Sequence, residues 1–513
     1  MLLPLITFLP LMGMIGVLII PGHRHKVIRA FTVLVTAVEF LLTIWLLLAF
    51  DRTGIKYDPN NVKTWFDTKT AISYQWIEGL HINFSMGVDG ISVILIFLTG
   101  LLSFLAVFSA FTINKQVKGF FALYLLLMTG MMGVFVSLDF FLFYVFWEIM
   151  LLPMYFLIGI WGGPRREYAA IKFFIYTLVG SVLILIVVLA YYFQAAKQGY
   201  PQFAFNIPEL IRLQPFGHFR DAAGHIDKLQ LMLFFGLFIG FAIKVPIFPF
   251  HTWLPDAHVE APTPISVILA GVLLKMGGYG FLRINWPLLP EVAHYLAYFM
   301  AALALVNIIY GALCAMAQSD FKKLVAYSSV SHMGYVLLGI AVLNTEGVNG
   351  AVFQMFTHGT SSAMMFLLVG VLYERAHHRE IARFGGIALR MPVYFALAMV
   401  GFFAALGLPG MSGFVSEVMV FLGGFKGQTM ITALATIGVV FTAGYILWAI
   451  QRVFLGKLKP EYENYPDCNK WELISLVPLA IASILFGVLP GLAIGVFTSS
   501  TELFVNFINS FPK

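Results

Sequence analysis

About fourteen apolar runs, each near the ~20 residues that a helix needs to cross a bilayer, follow one another along this chain and leave little room for anything else. Hydrocarbon offers no water to the backbone, so every donor and acceptor at that depth must be paired inside the protein, and runs of this length fold as transmembrane helices. The pattern predicts helices near 2–20, 27–50, 89–113, 120–136, 139–160, 168–196, 229–253, 263–286, 291–316, 321–342, 348–373, 392–425, 429–454 and 472–497. Composition agrees. Of 513 residues, 60% are hydrophobic and 11% charged, against ~25% charged in a soluble domain. The fold class is therefore an all-α polytopic membrane protein. The first run has no basic residue ahead of it and no small-residue cleavage pattern, so it reads as a retained helix, not a signal peptide.

Two of the fourteen helices are interrupted. In the seventh, Pro246 and Pro249 follow Lys244, and proline removes a backbone donor and clashes with the preceding turn. In the twelfth, Gly407-Leu408-Pro409-Gly410 breaks a long apolar stretch. Helices 4–8 and 9–13 form two blocks of five, each with its fourth helix broken. An odd number of crossings turns successive blocks over, so the expectation is two inverted five-helix repeats. The predicted layout is residues 1–113 (helices 1–3 with the outer loop 51–88), 120–286 (first repeat), 291–454 (second repeat) and 455–513 (a cytoplasmic loop, the fourteenth helix and a tail). Within the outer loop, SYQWI and LHINFSM flank Glu78-Gly79 and read as a hairpin. Short loops after odd-numbered helices carry most of the cations, among them Arg24, Lys26, Arg165, Arg166, Lys322 and Lys323. By the positive-inside rule both termini face away from the cytoplasm. A +6 net charge spread over such loops is the membrane pattern and implies no nucleic-acid partner.

The chemistry lies in ionisable residues at membrane depth. Lys244 precedes the first break, Lys275 sits in ISVILAGVLLKMGGYG, Glu148 in FFLFYVFWEIMLLPMYFLIGI, and Glu417 follows the second break. Each unpaired charge at mid-bilayer costs roughly 2.5–3.5 kcal/mol. Together the four approach the whole stability of an ordinary domain, ~5–15 kcal/mol, so they must pair, hydrate or neutralise. A Glu148–Lys244 pair is the preferred first contact. His332 (SSVSHMGY) and His358 (QMFTHGTSS) add groups that exchange protons near neutral pH. The six residues Glu148, Lys244, Lys275, His332, His358 and Glu417 then form a candidate proton line, which His251 extends. Its bland rivals are a structural ion pair at Glu148 and Lys244, a snorkelling Lys275 and ordinary interhelical hydrogen bonds at the histidines.

Other features carry less. Asp256, His258 and Glu260 fall between Pro255 and Pro262 and read as loop caps in preference to a metal site. His377-His378 reads as part of a solvated basic loop. Glycines 271, 277, 278 and 280 mark close helix contact. Cys314 and Cys468 are too far apart in sequence for a CxxC or an iron–sulfur ligand set. No strand–glycine-rich–helix unit and no Walker lysine motif is present, so no NADH or ATP site is expected.

The stretches KVPIFPFHTWLPDAHVEAPTPISVILAGVLLKMGGYG, FYVFWEIMLLPMYFLIGIWGG, KLVAYSSVSHMGYVLLGI and GLPGMSGFVSEVMVFLGG resemble the antiporter-like membrane subunits of respiratory complex I, across most of helices 4–13. An acid (Glu417) in the broken twelfth helix, together with a chain that ends soon after the fourteenth helix, points to the M-type branch. The resemblance implies a bacterial inner-membrane subunit of a proton-translocating NADH:quinone oxidoreductase, with Glu148 as the helix-five acid, Lys244 as the broken-helix lysine, Lys275 as the central lysine, Glu417 as the exit-side acid and His332 and His358 on the central axis. It also implies that N-type and L-type subunits are neighbours and that FMN, iron–sulfur clusters and quinone belong to partner subunits, leaving no cofactor here. A subunit of a cation/proton antiporter or membrane-bound hydrogenase-type complex is the alternative, although a lysine-rich line suits sodium poorly. A quinone-reducing or haem protein would have to use His332 and His358 as ligands.

Overall fold

The computed structural model describes residues 2–512, except 57, 59, 60 and 221–223. The chain is almost entirely helical. Its transmembrane elements are α1 (Leu2–Ile19), α2 (His25–Ala49), α3 (Gly90–Ser109), α4 (Val117–Val136), α5 (Phe140–Trp161), α6 (Arg166–Lys197), α7a (Lys228–Lys244) with α7b (Trp253–Glu260), α8 (Thr263–Leu288), α9 (Pro290–Met316), α10 (Phe321–Ala341), α11 (Thr345–Ala376), α12a (Pro392–Leu406) with α12b (Ser412–Gly427), α13 (Thr429–Val453) and α14 (Lys470–Val488). A further helix, α15, spans Gly491–Asn509.

Among the described residues, thirteen helices are long and apolar enough to cross a membrane. That number leaves out the interrupted seventh and twelfth and takes in α15. The fourteenth helix differs from expectation: it stops at Val488, before Pro490, and the predicted tail is helical. Contacts show that α15 lies along one face of the bundle. Ser500 Oγ accepts from Gly90 N at the start of α3, Thr501 bonds Asn349 at the start of α11, and Asn509 Nδ2 donates to Leu343 O just past α10. The face α15 covers also carries the hairpin β1 (Ile72–Ile77) and β2 (Ile82–Met86), antiparallel as expected. Phe84 stacks on Phe8 near the start of α1, which places both ends of the chain at this face. It is called the terminal face below, and the opposite one the basic face.

Burial divides the helices by role. α8, α10 and α11 are buried almost end to end, and α3 nearly so, whereas α1, α2, α6, α9, α13 and α14 each present one side outward. Large apolar residues on those outer sides, such as Leu48, Phe193 and Val440, are exposed because their solvent is lipid. Glycine sets the closest approach. A Cβ on Gly277 of α8 would stand 2.7 Å from Phe241 O of α7a, and one on Gly271 would stand 2.3 Å from a Leu102 methyl of α3. Each glycine therefore lets a neighbouring helix touch the backbone of α8.

Both interruptions occur where proline and glycine placed them. After Lys244, residues 245–252 form irregular turns whose freed backbone groups are paired inside the protein: Ile243 O accepts from Trp253 Nε1 at 2.9 Å, and Asn307 of α9 donates to Pro246 O at 3.1 Å and accepts from Phe248 N at 2.6 Å. Asp256, His258 and Glu260 lie in the half-helix α7b, not in a loop, because Pro255 falls in its first turn, where the missing N–H costs nothing. In the twelfth helix Gly407 adopts φ +75° and Leu408 N bonds Phe403 O at 3.1 Å, a glycine-terminated helix end.

Candidate functional site

The six candidate residues divide into two groups. Lys275, His358, His332 and Glu417 come together from four helices at the centre of the bundle. Lys275 is fully buried on α8, between two widened π-type turns at Leu269–Leu273 and Phe281–Asn285. Its Nζ donates to Ala270 O, within the first of those turns, and lies 2.7 Å from His358 Nδ1 of α11. A lysine buried this way does not snorkel. The His358 and His332 rings stand 5.5 Å apart between centroids, and His332 Nδ1 is 3.4 Å from Glu417 Oε1 of α12b. In each imidazole one nitrogen is engaged, while Nε2 has no hydrogen-bond partner. The lysine nitrogen, two rings and a carboxyl thus form one polar series inside an apolar bundle.

The break in the twelfth helix makes room for Glu417. A Cβ at Gly407 would approach its Oε2 to 2.8 Å, so the carboxyl rests against the bare glycine at the end of α12a. Beside it Ser416 Oγ is 3.0 Å from Thr357 Oγ1 and also donates to Gln354. Tyr335 and Tyr445 lie within electrostatic range of Glu417, and the Tyr335 hydroxyl has no hydrogen-bond partner. Gln354 and Tyr445 were not singled out by the sequence. Only helix packing turns them toward the acid.

Lys244 and Glu148 form the second group. Lys244 is the last residue of α7a, where the helix dipole favours a cation, and it is 1% exposed. Its Nζ has no hydrogen-bond partner and lies over the Trp147 and Phe173 rings at 5.3 and 5.6 Å. Glu148 acts on it electrostatically, but Glu148 Oε1 is also unpartnered. The expected pair is therefore a field across a gap, not a hydrogen-bonded contact. Glu148 sits at a defect in α5, where the helix is interrupted at Met150. Pro153 lacks the N–H that would have continued the ladder there. His251 lies in the irregular turns after Lys244, against Phe248 and Tyr310, with neither ring nitrogen hydrogen-bonded.

A histidine missed as a site residue stands toward the basic face. His258 of α7b is fully buried, stacks on Phe366 at 4.4 Å, and lies in electrostatic range of Lys275 and Lys322. Lys322 is itself buried and donates to Ala261 O. It lines a cavity of about 190 Å³ with Glu260, Glu374 and Arg379. Asp256 holds α7b to α6 through Lys172 at 2.7 Å, and Glu260 Oε2 accepts from Arg165 N at 3.0 Å. His378 stacks on Phe384 and bonds Tyr462 at 3.1 Å in a folded loop, not a freely solvated one. Burial beside Arg383 holds its imidazole below the usual histidine range.

Comparison with known proteins is consistent across the chain. Residues 137–442 match the family described as NADH:quinone oxidoreductase/Mrp antiporter, TM. NADH-quinone oxidoreductase subunit M of Rickettsia conorii is 40% identical over 98% of this chain and 99% of its own, and that of Rhodobacter capsulatus 44% identical over 96% and 94%. A chain of respiratory complex I from Thermus thermophilus with bound NADH superposes with a TM-score of 0.85 at 31% identity, covering 99% of this chain and 100% of that one. The Mrp complex from Dietzia sp. shares the fold, with a TM-score of 0.79 at 19% identity over 99% of each chain. With full-length relatives at this identity, an all-α polytopic fold and charged groups sealed inside it, the chain belongs to the M-subunit family of NADH-quinone oxidoreductases, the antiporter-like, proton-translocating membrane subunits of respiratory complex I.

Proposed function

We propose that protons cross this subunit along Glu148, Lys244, Lys275, His358, His332 and Glu417, driven by quinone reduction in partner subunits that hold the flavin, the iron–sulfur clusters and the quinone. The observation that carries this reading is the close series of polar groups from Lys275 Nζ through the neighbouring rings of His358 and His332 to Glu417. Proton uptake is from the basic face near α7b and α8, and release is near α12b. The chain works as two five-helix units, 120–286 and 291–454, turned over relative to each other, because each contains one interrupted helix with an ionisable residue at its break. Loop cations put the basic face in the cytoplasm and both termini outside. N-type and L-type subunits of similar fold flank the chain in the bacterial inner membrane.

Lys244 is the switch in this scheme. Its cation is held by ring faces and a helix end instead of hydrogen bonds, so its charge depends on how strongly Glu148 acts on it. With Glu148 engaged the ammonium persists. With Glu148 drawn away, desolvation favours release of the proton toward Lys275. These groups titrate as a set, so a value measured at any one of them belongs to the whole line. The test is the assembled complex in sealed vesicles carrying Lys244→Met or Glu148→Ala. Proton pumping per electron falls in each if the reading holds, and pumping at the wild-type ratio in both removes these residues from the path.

A further inference from the structure

We infer that Arg283 is a charge barrier that closes the central line to the terminal face, so that a proton reaching Lys275 leaves through His358, His332 and Glu417 instead of running straight along α8. This rests on the proton path proposed above and adds the residue that gives the path its direction.

Lys275, Tyr279 and Arg283 are spaced four residues apart on α8, hence on one side of that helix and roughly 6 Å apart along its axis. The step from Tyr279 to Arg283 is polar. The Tyr279 hydroxyl lies 3.2 Å from Ser92 Oγ and 3.2 Å from Phe135 O, and accepts from Arg283 Nε at 3.1 Å. Arg283 Nη2 reaches Asp89 Oδ1 at 2.7 Å and Ser92 Oγ at 3.3 Å, and its guanidinium lies over the Phe66 ring at 4.9 Å. Beside the pair, beneath α15, is a cavity of about 40 Å³ lined in part by Tyr279, Arg283, Asp89, Ser500 and Phe504. That is room for about two or three waters. Along α8 from the buried lysine toward the terminal face the groups are therefore an amine, a hydroxyl and a guanidinium, the last paired with a carboxylate.

Without a fixed charge this row would be a second exit that bypasses Glu417. A guanidinium cannot give up its proton in a protein, so it cannot hand one on. A fixed positive charge in a narrow polar passage also repels an excess proton. The order of contacts matters: Nε faces Tyr279 and Nη2 faces Asp89, so a proton coming from Lys275 meets the cation before the carboxylate. Asp89 is also the cap of α3, accepting from Ser92 N at 2.9 Å, which fixes the guanidinium in the passage.

The test uses the assembled complex reconstituted into sealed vesicles, with passive decay of an imposed pH gradient measured without turnover. Arg283→Gln raises that leak several-fold, and adding Lys275→Met to it restores the wild-type rate, because the leak runs through the central lysine. Asp89→Asn keeps the cation and stays tight. If Arg283→Gln yields no assembled complex, Arg283→Lys serves: a lysine loses its proton at alkaline pH, so the variant becomes leaky as pH rises while the wild type stays tight. A tight Arg283→Gln, a leak that survives Lys275→Met, or an Arg283→Lys variant that never leaks overturns the barrier. The underlying path is judged separately: if Lys275→Met alone pumps normally, that path has failed, whereas a Lys275→Met variant that cannot pump beside a tight Arg283→Gln removes only the barrier.

Discussion

The two buried lysines have the same chemistry and different surroundings. Lys275 is tied by hydrogen bonds to a carbonyl and an imidazole at the centre of the bundle. Lys244 has no hydrogen bond and rests on two aromatic faces at a helix end, with its acid held off on a defect in α5. A hydrogen-bonded lysine nitrogen is part of a fixed series and suits conduction. A cation held by ring quadrupoles, a helix dipole and a remote carboxylate sits on a shallower balance, which small displacements can tip. On the proposed path, passage falls to one lysine and switching to the other.

The strongest way to break that comparison is Lys275→Met. Severing the central series should lower proton pumping in assembled complex at least about ten-fold, the equivalent of ~1.4 kcal/mol or more; a drop smaller than that means the series has a bypass. Next is Lys244→Arg, which keeps the charge but cannot release the proton. A switch is lost by this change while a purely structural cation is spared, so proton-to-electron ratios separate the two readings. Trp147→Leu removes one ring face from Lys244 at a cost of about 0.5–2 kcal/mol. Pumping should fall about two- to thirty-fold on that scale, and the same substitution at Phe353, which touches neither lysine group, should leave the ratio alone. The smallest effect is expected from Gly407→Ala. Its positive φ costs an ordinary residue ~1–2 kcal/mol, and the added methyl presses on Glu417 Oε2. The readout is a lower unfolding temperature together with slowed proton release, and full thermal stability would mean that the bend relaxes without strain.

Lys275, His358, His332 and Glu417 were recognisable in the sequence because each is a polar residue sunk in an apolar run, and that contrast survives any arrangement of the helices. Gln354, Tyr335 and Tyr445 were not, since a polar or amphipathic residue with a lipid-facing alternative gives no such contrast. Arg283 and Asp89 lie close enough to helix ends to read as ordinary interfacial charges. His258 was legible as a residue and misplaced as an environment: the prolines around it suggested a loop, whereas Pro255 in a first turn allowed a half-helix. The fourteenth helix was drawn too long because hydropathy runs on through Pro490, and only the contacts of α15 with the starts of α3 and α11 show that the chain turns along the surface there.

Sequence alone determined that the chain is a succession of membrane-length helices, where two of them break, and which residues cannot lie in lipid unaccompanied. Those follow from local rules: the span of the hydrocarbon, the missing N–H of proline, the freedom of glycine and the cost of a bare charge. Tertiary structure alone decided which of those residues touch. Lys275 meets His358 83 positions away and Glu417 meets His332 from two helices further on, because burial brings α8, α10, α11 and α12b together at their small and polar faces. Spacing along a helix sets the side on which a residue stands; only packing sets what it faces.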